Sequence, residues 1–455
     1  MGKTATLLLA CVALLLLGCG EVVKFEGEWE RLNRDLDDVA APSEVNEYAI
    51  AFDGDRMLSA WTGIREDRTV LQVAISRSGS EASQVERFVL DTREGIIFSP
   101  KMIPVESEIV LAWMLRRKVD GGVVYDIQVC TVDNTGRFSP VTTLGKSVGI
   151  QRFHMVKTKQ GELLAGSVPN GESKERKLLL FLRKGGEWKS CRLGANEEWL
   201  GEKPEISVGE SSIALAWMLD GEIQAAHSLD GESWIRDRIE GTSEGVLSRV
   251  GTVGGEHWIA LMKEDRWRPG VDVRLLRSNL LDSSWISEEE ILRIEGRRVS
   301  LSFGRGLGDE ILLGIWRSDA VKNCRRIDAA KYGGGWEVLP VNGPAEACMQ
   351  SQSPSVVEVG DSTLFSWQEW NGSGGKVKLA RVSRQFELWP ESPLLVVEDG
   401  SEVAYSAPKL AADRGERGVL FCFSYEPRGG PMQGTINRGN LVVQRWFQGM
   451  SVGFY

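Results

Sequence analysis

A short apolar run ending in Ala-Trp, or in a relative of it, returns along the whole chain, and no other feature restricts its fold as much. It occurs at LSAW with Ala60, LAWM with Ala112, LLAG with Ala165, LAWM with Ala216, WIAL with Ala260, LLGIW with Gly314, FSW with Ser366 and FCF with Cys422, at intervals of 44 to 56 residues. The surroundings repeat as well. A shorter strand-like segment precedes each run and a third follows it, such as LQVAIS from Leu71, YDIQVCTV from Tyr125 or KVKLARV from Lys376, and a glycine or polar turn then leads to a fourth. Self-similarity at about 50 residues with four short strands per unit, and no long helical period, is the mark of radial repetition. The chain is therefore predicted to be all-β, an eight-bladed β-propeller of four-stranded antiparallel blades over residues 46–448 with a tail at 449–455. A repeat also explains the length, since 455 residues exceed one ordinary core but suit a protein that grows by adding units.

The stretch from Lys203 to Ile239 shows one unit most clearly, with short runs at Glu205 to Val208, Ile213 to Met218, Ile223 to Ala226 and Ile235 to Ile239. Between the last two, Ser228, Asp230, Gly231 and Trp234 resemble the Asp-box of the sialidase-like (BNR-repeat) propellers, SxDxGxTW, with one residue fewer before the Trp and Ser233 in place of Thr. Asp accepts backbone N–H groups inside its own turn, Gly supplies the positive φ and Trp is a large apolar anchor. Weaker relatives lie at 134–136, 185–188, 282–285 and 333–336. In that family the box lies away from the active face, which makes Asp230 a turn residue.

The eighth unit stops after its third strand, Asn440 to Phe447, while Gly27, Glu28, Trp29 and Glu30 resemble Gly186, Glu187, Trp188 and Lys189, which open a fourth strand. A strand near 27–32 is thus expected to complete the last blade and cover its open edge. Ahead of it, Lys3 and the apolar run Leu7 to Leu17 form a targeting segment, too short for the roughly 20 residues that a helix needs to cross a bilayer. Leu16, Leu17, Gly18 and Cys19 resemble a bacterial lipobox. The resemblance implies a signal peptide over 1–18, lipidation of Cys19, and an anchored segment over 19–45 that includes the closing strand. Gly20 after the cysteine favours the outer membrane, so the protein is expected in the cell envelope, facing periplasm or exterior, touching membrane through its lipid alone. Residues 33–46 are a polar connection into the first blade or part of the tether.

A net charge of −10 disfavours nonspecific nucleic-acid binding. His154, His227 and His257 are isolated from one another and no CxxC occurs, so neither a metal nor another cofactor is expected. Cys130 and Cys422 sit in strand patterns as small hydrophobes, and a Cys324–Cys348 disulfide is left open.

The residue just before the start of each first strand is Glu47, Ser99, Arg152, Lys203, Arg249, Arg298, Ser353 and Ala407. Four consecutive units carry a base there. Arg152, Lys203, Arg249 and Arg298 are expected to form a crescent that binds an anion, because converging cations focus potential and arginine forks suit oxyanions. The alternative is that each is solvated or paired with a local carboxylate such as Glu205. Resemblance to sialidases implies a further possibility, in which Arg152, Arg249 and Arg298 hold a carboxylate and Tyr48 with Glu47, or Tyr405 with Glu402, supplies a nucleophile pair. The family's RIP motif and its aspartate acid/base have no counterpart here, and sialidases have six blades. The chain is accordingly expected to bind an acidic glycan or other anionic extracellular ligand; a sialidase-type glycoside hydrolase ranks second and a protein-interaction scaffold third. A Cys19→Ala form should lose fatty-acid labelling and membrane association; fractionation with membranes like the native protein would refute the lipobox assignment.

Overall fold

The computed structural model describes residues 30–31 and, between 48 and 445, the strands and shorter turns, with 122–147, 152–169, 199–240, 245–264 and 270–296 among the longest continuous segments. The described residues are all-β, and they form eight sheets, each built on four antiparallel strands. The second sheet shows the order: Ile96–Val105, Glu108–Val119, Gly122–Asp133 and Thr142–Ser147, each pairing with the next in sequence. First strands of successive sheets lie against one another, and the first strand of the last sheet, Ala404–Ala412, lies against that of the first, Tyr48–Phe52. The architecture is propeller-like.

Burial explains why the second strands read as unbroken apolar runs. In Glu108–Val119 seven residues in a row, Ile109 to Leu115, are buried, because both faces of the strand are covered by neighbouring sheets. Fourth strands are less buried: Glu187–Ser190 has no buried residue, and Ser233–Arg236 buries only Trp234. The core is therefore a series of layers between sheets. One layer joins Leu58, Leu71 and Val73 to Leu111 and Trp113, and the next joins Val110 and Ala112 to Phe153 and Leu164. Others join Leu180 to Trp217, Ala216 to Leu261, Leu275 to Leu313 and Ile327 to Trp367. Burying one such side chain stabilises by about 1.5–3 kcal/mol.

Polar ties cross the same boundaries. Buried Arg183 of the third sheet donates to Glu162 of its own sheet (3.1 Å) and to Glu108 of the second (2.5 Å). Arg56 of the first donates to Asn134 Oδ1 (2.7 Å) and to the Val105 carbonyl (2.8 Å) of the second. Asp230 acts inside its turn: its Oδ1 accepts from the amides of Glu232 (2.9 Å) and Ser233 (2.8 Å) and from the Ser228 hydroxyl (3.0 Å). Gly231 has φ +74°, and Trp234, 4% exposed, donates to the Gly231 carbonyl and packs in the layer with Leu182.

The strand expected from Ile235 to Ile239 is divided. Ser233–Arg236 is the fourth strand, and Arg238–Glu240 leaves to run parallel to Ser284–Ser287 of the fifth sheet. Arg192–Leu193 does the same one sheet earlier, parallel to Ser233–Arg236. Linking segments thus cover exposed outer edges, which a one-dimensional pattern does not register. At the chain's start Glu30–Arg31 lies antiparallel to Gly439–Arg445, with Glu30 opposite Val443 and Arg31 opposite Val442. Deleting residues 21–32 should therefore lower the melting temperature by uncovering that strand's edge, whereas removal of a mere tether would leave the melting curve unchanged.

Candidate functional site

Register defines equivalent positions on the first strands better than the sequence pattern does. Opposite the small residue of the second-strand repeat stand Ala49, Lys101, His154, Glu205, Arg249, Ser302 and Ser355, paired with Ala60, Ala112, Ala165, Ala216, Ala260, Gly314 and Ser366. In the eighth sheet Lys409 stands opposite Phe421, beside Cys422. Four consecutive sheets therefore place a charged or titratable side chain, Lys101, His154, Glu205 and Arg249, at one level of the inner wall.

This register corrects the expected crescent. Arg152 lies opposite Ser167, two residues before His154, and Arg298 lies opposite Ser318, four before Ser302. Lys203 falls in a register shift between Glu202 and Glu205, with φ +53° and its Nζ 3.9 Å from Glu202. Only Arg249 is at the shared level. Arg152 and Arg298 open strands without a bulge and simply precede the shared level by two and four residues, whereas the first strands of the second, fourth and fifth sheets carry bulges that break a constant count from the strand start. Ser99–Pro100 interrupts the second sheet's first strand, with Ser99 at φ +51°; Lys203–Pro204 interrupts the fourth's and Ser248 the fifth's. Lys101 and His154 were missed, although the alanine opposite each was already the most visible element of the repeat; Glu205 was read only as a carboxylate that pairs a base, and it does lie 3.5 Å from Arg249.

Alternation along the strands aims the four side chains in one sense. Met102 packs in the layer against the first sheet and Ile103 in the layer against the third, so Lys101, sharing the parity of Ile103, faces the third sheet. By the same alternation His154 faces the fourth, and its Nδ1 accepts a hydrogen bond from the Ile206 amide (2.9 Å). Glu205 faces the fifth, with Oε1 3.5 Å from Arg249 Nη1 and Oε2 3.6 Å from His154 Nδ1. Arg249 Nη1 also donates to the Ser248 carbonyl (2.9 Å). Among the described residues Lys101 makes no hydrogen bond or ion pair.

Solvent reaches all four. Side-chain exposure is 32% for His154, 25% for Glu205 and 47% for Arg249, and Lys101 is exposed. Protein nevertheless crowds them, and desolvation dominates the acidities of Lys101, His154 and Glu205. It lowers the Lys101 ammonium, with Glu205 opposing and Arg249 reinforcing. It brings His154 down to about 4, helped by the charges of Lys101 and Arg249, and raises the Glu205 carboxyl against the pull of Arg249 and Lys101.

A second polar cluster lies between the fourth and fifth sheets. Ser207 Oγ (2.6 Å) and Thr252 Oγ1 (3.2 Å) meet His257 Nδ1, and Ser212 Oγ (2.8 Å) meets Nε2. A serine beside a histidine suggests a nucleophile, but His257 is 0% exposed and both ring nitrogens are occupied, so the cluster is a structural tie. His227 Nδ1 lies 2.5 Å from Asp237 Oδ1, while Asp237 Oδ2 accepts from the Trp285 indole of the fifth sheet (2.9 Å). Cys130 and Cys191 are free, their thiols pushed up to about 12 by burial, and are not nucleophiles. Among the described residues no group of three His, Cys, Asp or Glu is placed to hold a metal, and no helix is long and apolar enough to cross a membrane.

Of the tyrosines proposed as nucleophiles, Tyr48 pairs with Trp61 one residue before Ala49, and Tyr405 pairs with Ser424 in the eighth sheet. Glu47, Glu402, Cys19 and the Cys324–Cys348 pair lie outside the described residues.

No family model matches the chain, and no curated protein matches it. Among solved structures the chain is similar to a polysaccharide lyase, at 8% identity and a TM-score of 0.47, covering 76% of this chain and 89% of that one. It is similar to the β-propeller domain of the trilobed protease from Pyrococcus furiosus, at 10% identity and 0.43, covering 88% and 94%. It is also similar to an α-L-arabinanase from Penicillium chrysogenum, at 10% and 0.37, covering 65% and 96%.

The histidines give the fold opposite pH responses. His257, like His154, is lowered to about 4 by burial, so its neutral form is favoured on folding and that stability is lost as pH falls from the ordinary value of about 6.5 toward 4. His227 is raised by its hydrogen bond to Asp237, so its contribution is complete below about 6.5 and is lost as pH rises through the raised value. A His257→Gln protein should show a shallower fall of melting temperature between pH 6.5 and 4 than the native protein. An unchanged slope would show that His257 is not held neutral.

Proposed function

We propose that this chain is a lipid-anchored envelope propeller of eight blades, the last completed by the strand at Glu30–Arg31, which binds an anionic glycan at its centre. The observation that carries the binding reading is the under-satisfied quartet. A cluster of polar groups on an inner wall ordinarily pairs within itself; here Lys101 has no partner among the described residues and Glu205 touches Arg249 and His154 only at 3.5 and 3.6 Å. Two cations against one carboxylate leave this quartet locally positive on a protein of net charge −10, which favours an anion there. Clustered, shifted acidities on a concave surface are also what binding sites show. The lipid anchor is supported by the lipobox at Cys19 and places the site in the envelope.

The sialidase-type alternative needs three arginines around one carboxylate, and Arg152 and Arg298 stand at other levels than Arg249. Binding without turnover is therefore the favoured reading.

Purified protein is tested against an acidic-glycan array and a fluorogenic sialoside, expecting binding and no hydrolysis. Arg249→Ala should weaken binding by about 1.5–3 kcal/mol, toward the lower value because the side chain is half exposed, and Arg249→Lys should restore part of it. Lys101→Ala should act similarly, and affinity should fall with salt. Native-like affinity in both alanine variants would exclude the central site, and hydrolysis of the sialoside would restore the enzyme reading.

A further inference from the structure

We infer that the central site is built for a sugar acid that presents a carboxylate and a neighbouring hydroxyl together, as a uronate does, and that His154 determines this specificity by offering Nε2–H as a fixed neutral donor. The inference rests on the reading that the centre binds an anion, and it follows from which nitrogen of His154 is occupied. The Ile206 amide donates to Nδ1 at 2.9 Å, so Nδ1 carries no proton and the proton of the neutral ring is on Nε2. Protonating the ring would set an N–H at Nδ1 against the Ile206 N–H, in keeping with the lowering of His154 to about 4. Nε2 has no hydrogen-bond partner among the described residues, and it is not one of the buried polar atoms left unpaired, so it is open to solvent.

The other three groups complete a mixed pattern. Lys101 and Arg249 attract negative oxygen. Glu205, when ionised, only accepts hydrogen bonds, and its two long contacts leave that capacity unused. A bare oxyanion such as sulfate or acetate would satisfy the cations but would bring negative oxygen against Glu205 with no proton to offer. A uronate supplies the carboxylate for the cations, a hydroxyl proton for Glu205 and an acceptor oxygen for His154. A ligand that sets like charge against Glu205 is disfavoured relative to one that completes all four groups.

Three histidines in the chain make the ring nitrogens accessible to NMR after selective 15N-histidine labelling, with His154 assigned by its loss in a His154→Gln protein. In the ligand-free protein His154 should show the Nε2–H neutral tautomer; the Nδ1–H tautomer would overturn the inference before any ligand is added. Titrations at pH 8 with glucuronate, acetate and inorganic sulfate should then give an affinity for glucuronate at least tenfold above that for the other two. His154→Phe should reduce that preference to threefold or less, and His154→Gln, which keeps a neutral N–H donor, should recover part of it. Acetate or sulfate binding as well as glucuronate, or a preference undiminished in His154→Phe, would refute the specificity while leaving an anion site in place. Binding of none of the three, with the expected tautomer present, would instead remove the anion-site reading itself and this inference with it.

Discussion

Among the described residues, second strands such as Glu108–Val119 are buried on both faces by the sheets on either side, and the rest of the structure depends on that packing. A layer such as Leu58, Leu111 and Trp113 belongs to two sheets at once, so no sheet owns a core it could keep alone. Stability in such an arrangement comes from interfaces between neighbours. That is why the apolar run recurs through the chain and why the outer strands, such as Glu187–Ser190, are free to be polar. The Glu108–Arg183–Glu162 group, in which Arg183 and Glu162 are buried and Glu108 is partly exposed, spans one of these interfaces at hydrogen-bond distances and ties the second sheet to the third.

The same packing shapes the inner wall. First strands converge there, and small residues opposite them on the second strands, Ala112, Ala165, Ala216 and Ala260, let larger polar side chains stand at one level. Bulges at Ser99–Pro100, Lys203–Pro204 and Ser248 reset the alternation above that level. A proline suits such a place because the ladder needs no amide from it.

The two histidine clusters differ in how completely their polar groups are satisfied. His257 has hydroxyls on both ring nitrogens and no exposure, so its hydrogen bonds are complete and its contribution is to hold the fourth and fifth sheets together. His154 has one nitrogen held by a backbone amide and the other without a partner among the described residues, near an ammonium, Lys101, that likewise has none there and a carboxylate with spare acceptor capacity. Buried polar networks stabilise when every member is satisfied. Incomplete satisfaction on an accessible wall is what a ligand completes.

Much of the architecture was legible in the sequence, because strand burial leaves a local trace. The Ala-Trp run, the punctuating glycines and the turn at Ser228 to Trp234 each express a requirement met within a few residues, and Asp230 makes the turn hydrogen bonds its neighbours imply. The central site left no such trace. Whether Arg152 or His154 stands level with Arg249 is decided by pairing register, and a bulge shifts register by one residue without changing hydrophobic periodicity on either side. The division of the strand after Trp234 is likewise settled by an outer edge of the next sheet that Arg238–Glu240 can cover. Local chemistry thus determined the strands, the turns and their repetition, while the choice of Lys101, His154, Glu205 and Arg249 as neighbours was made only when separate sheets were brought side by side.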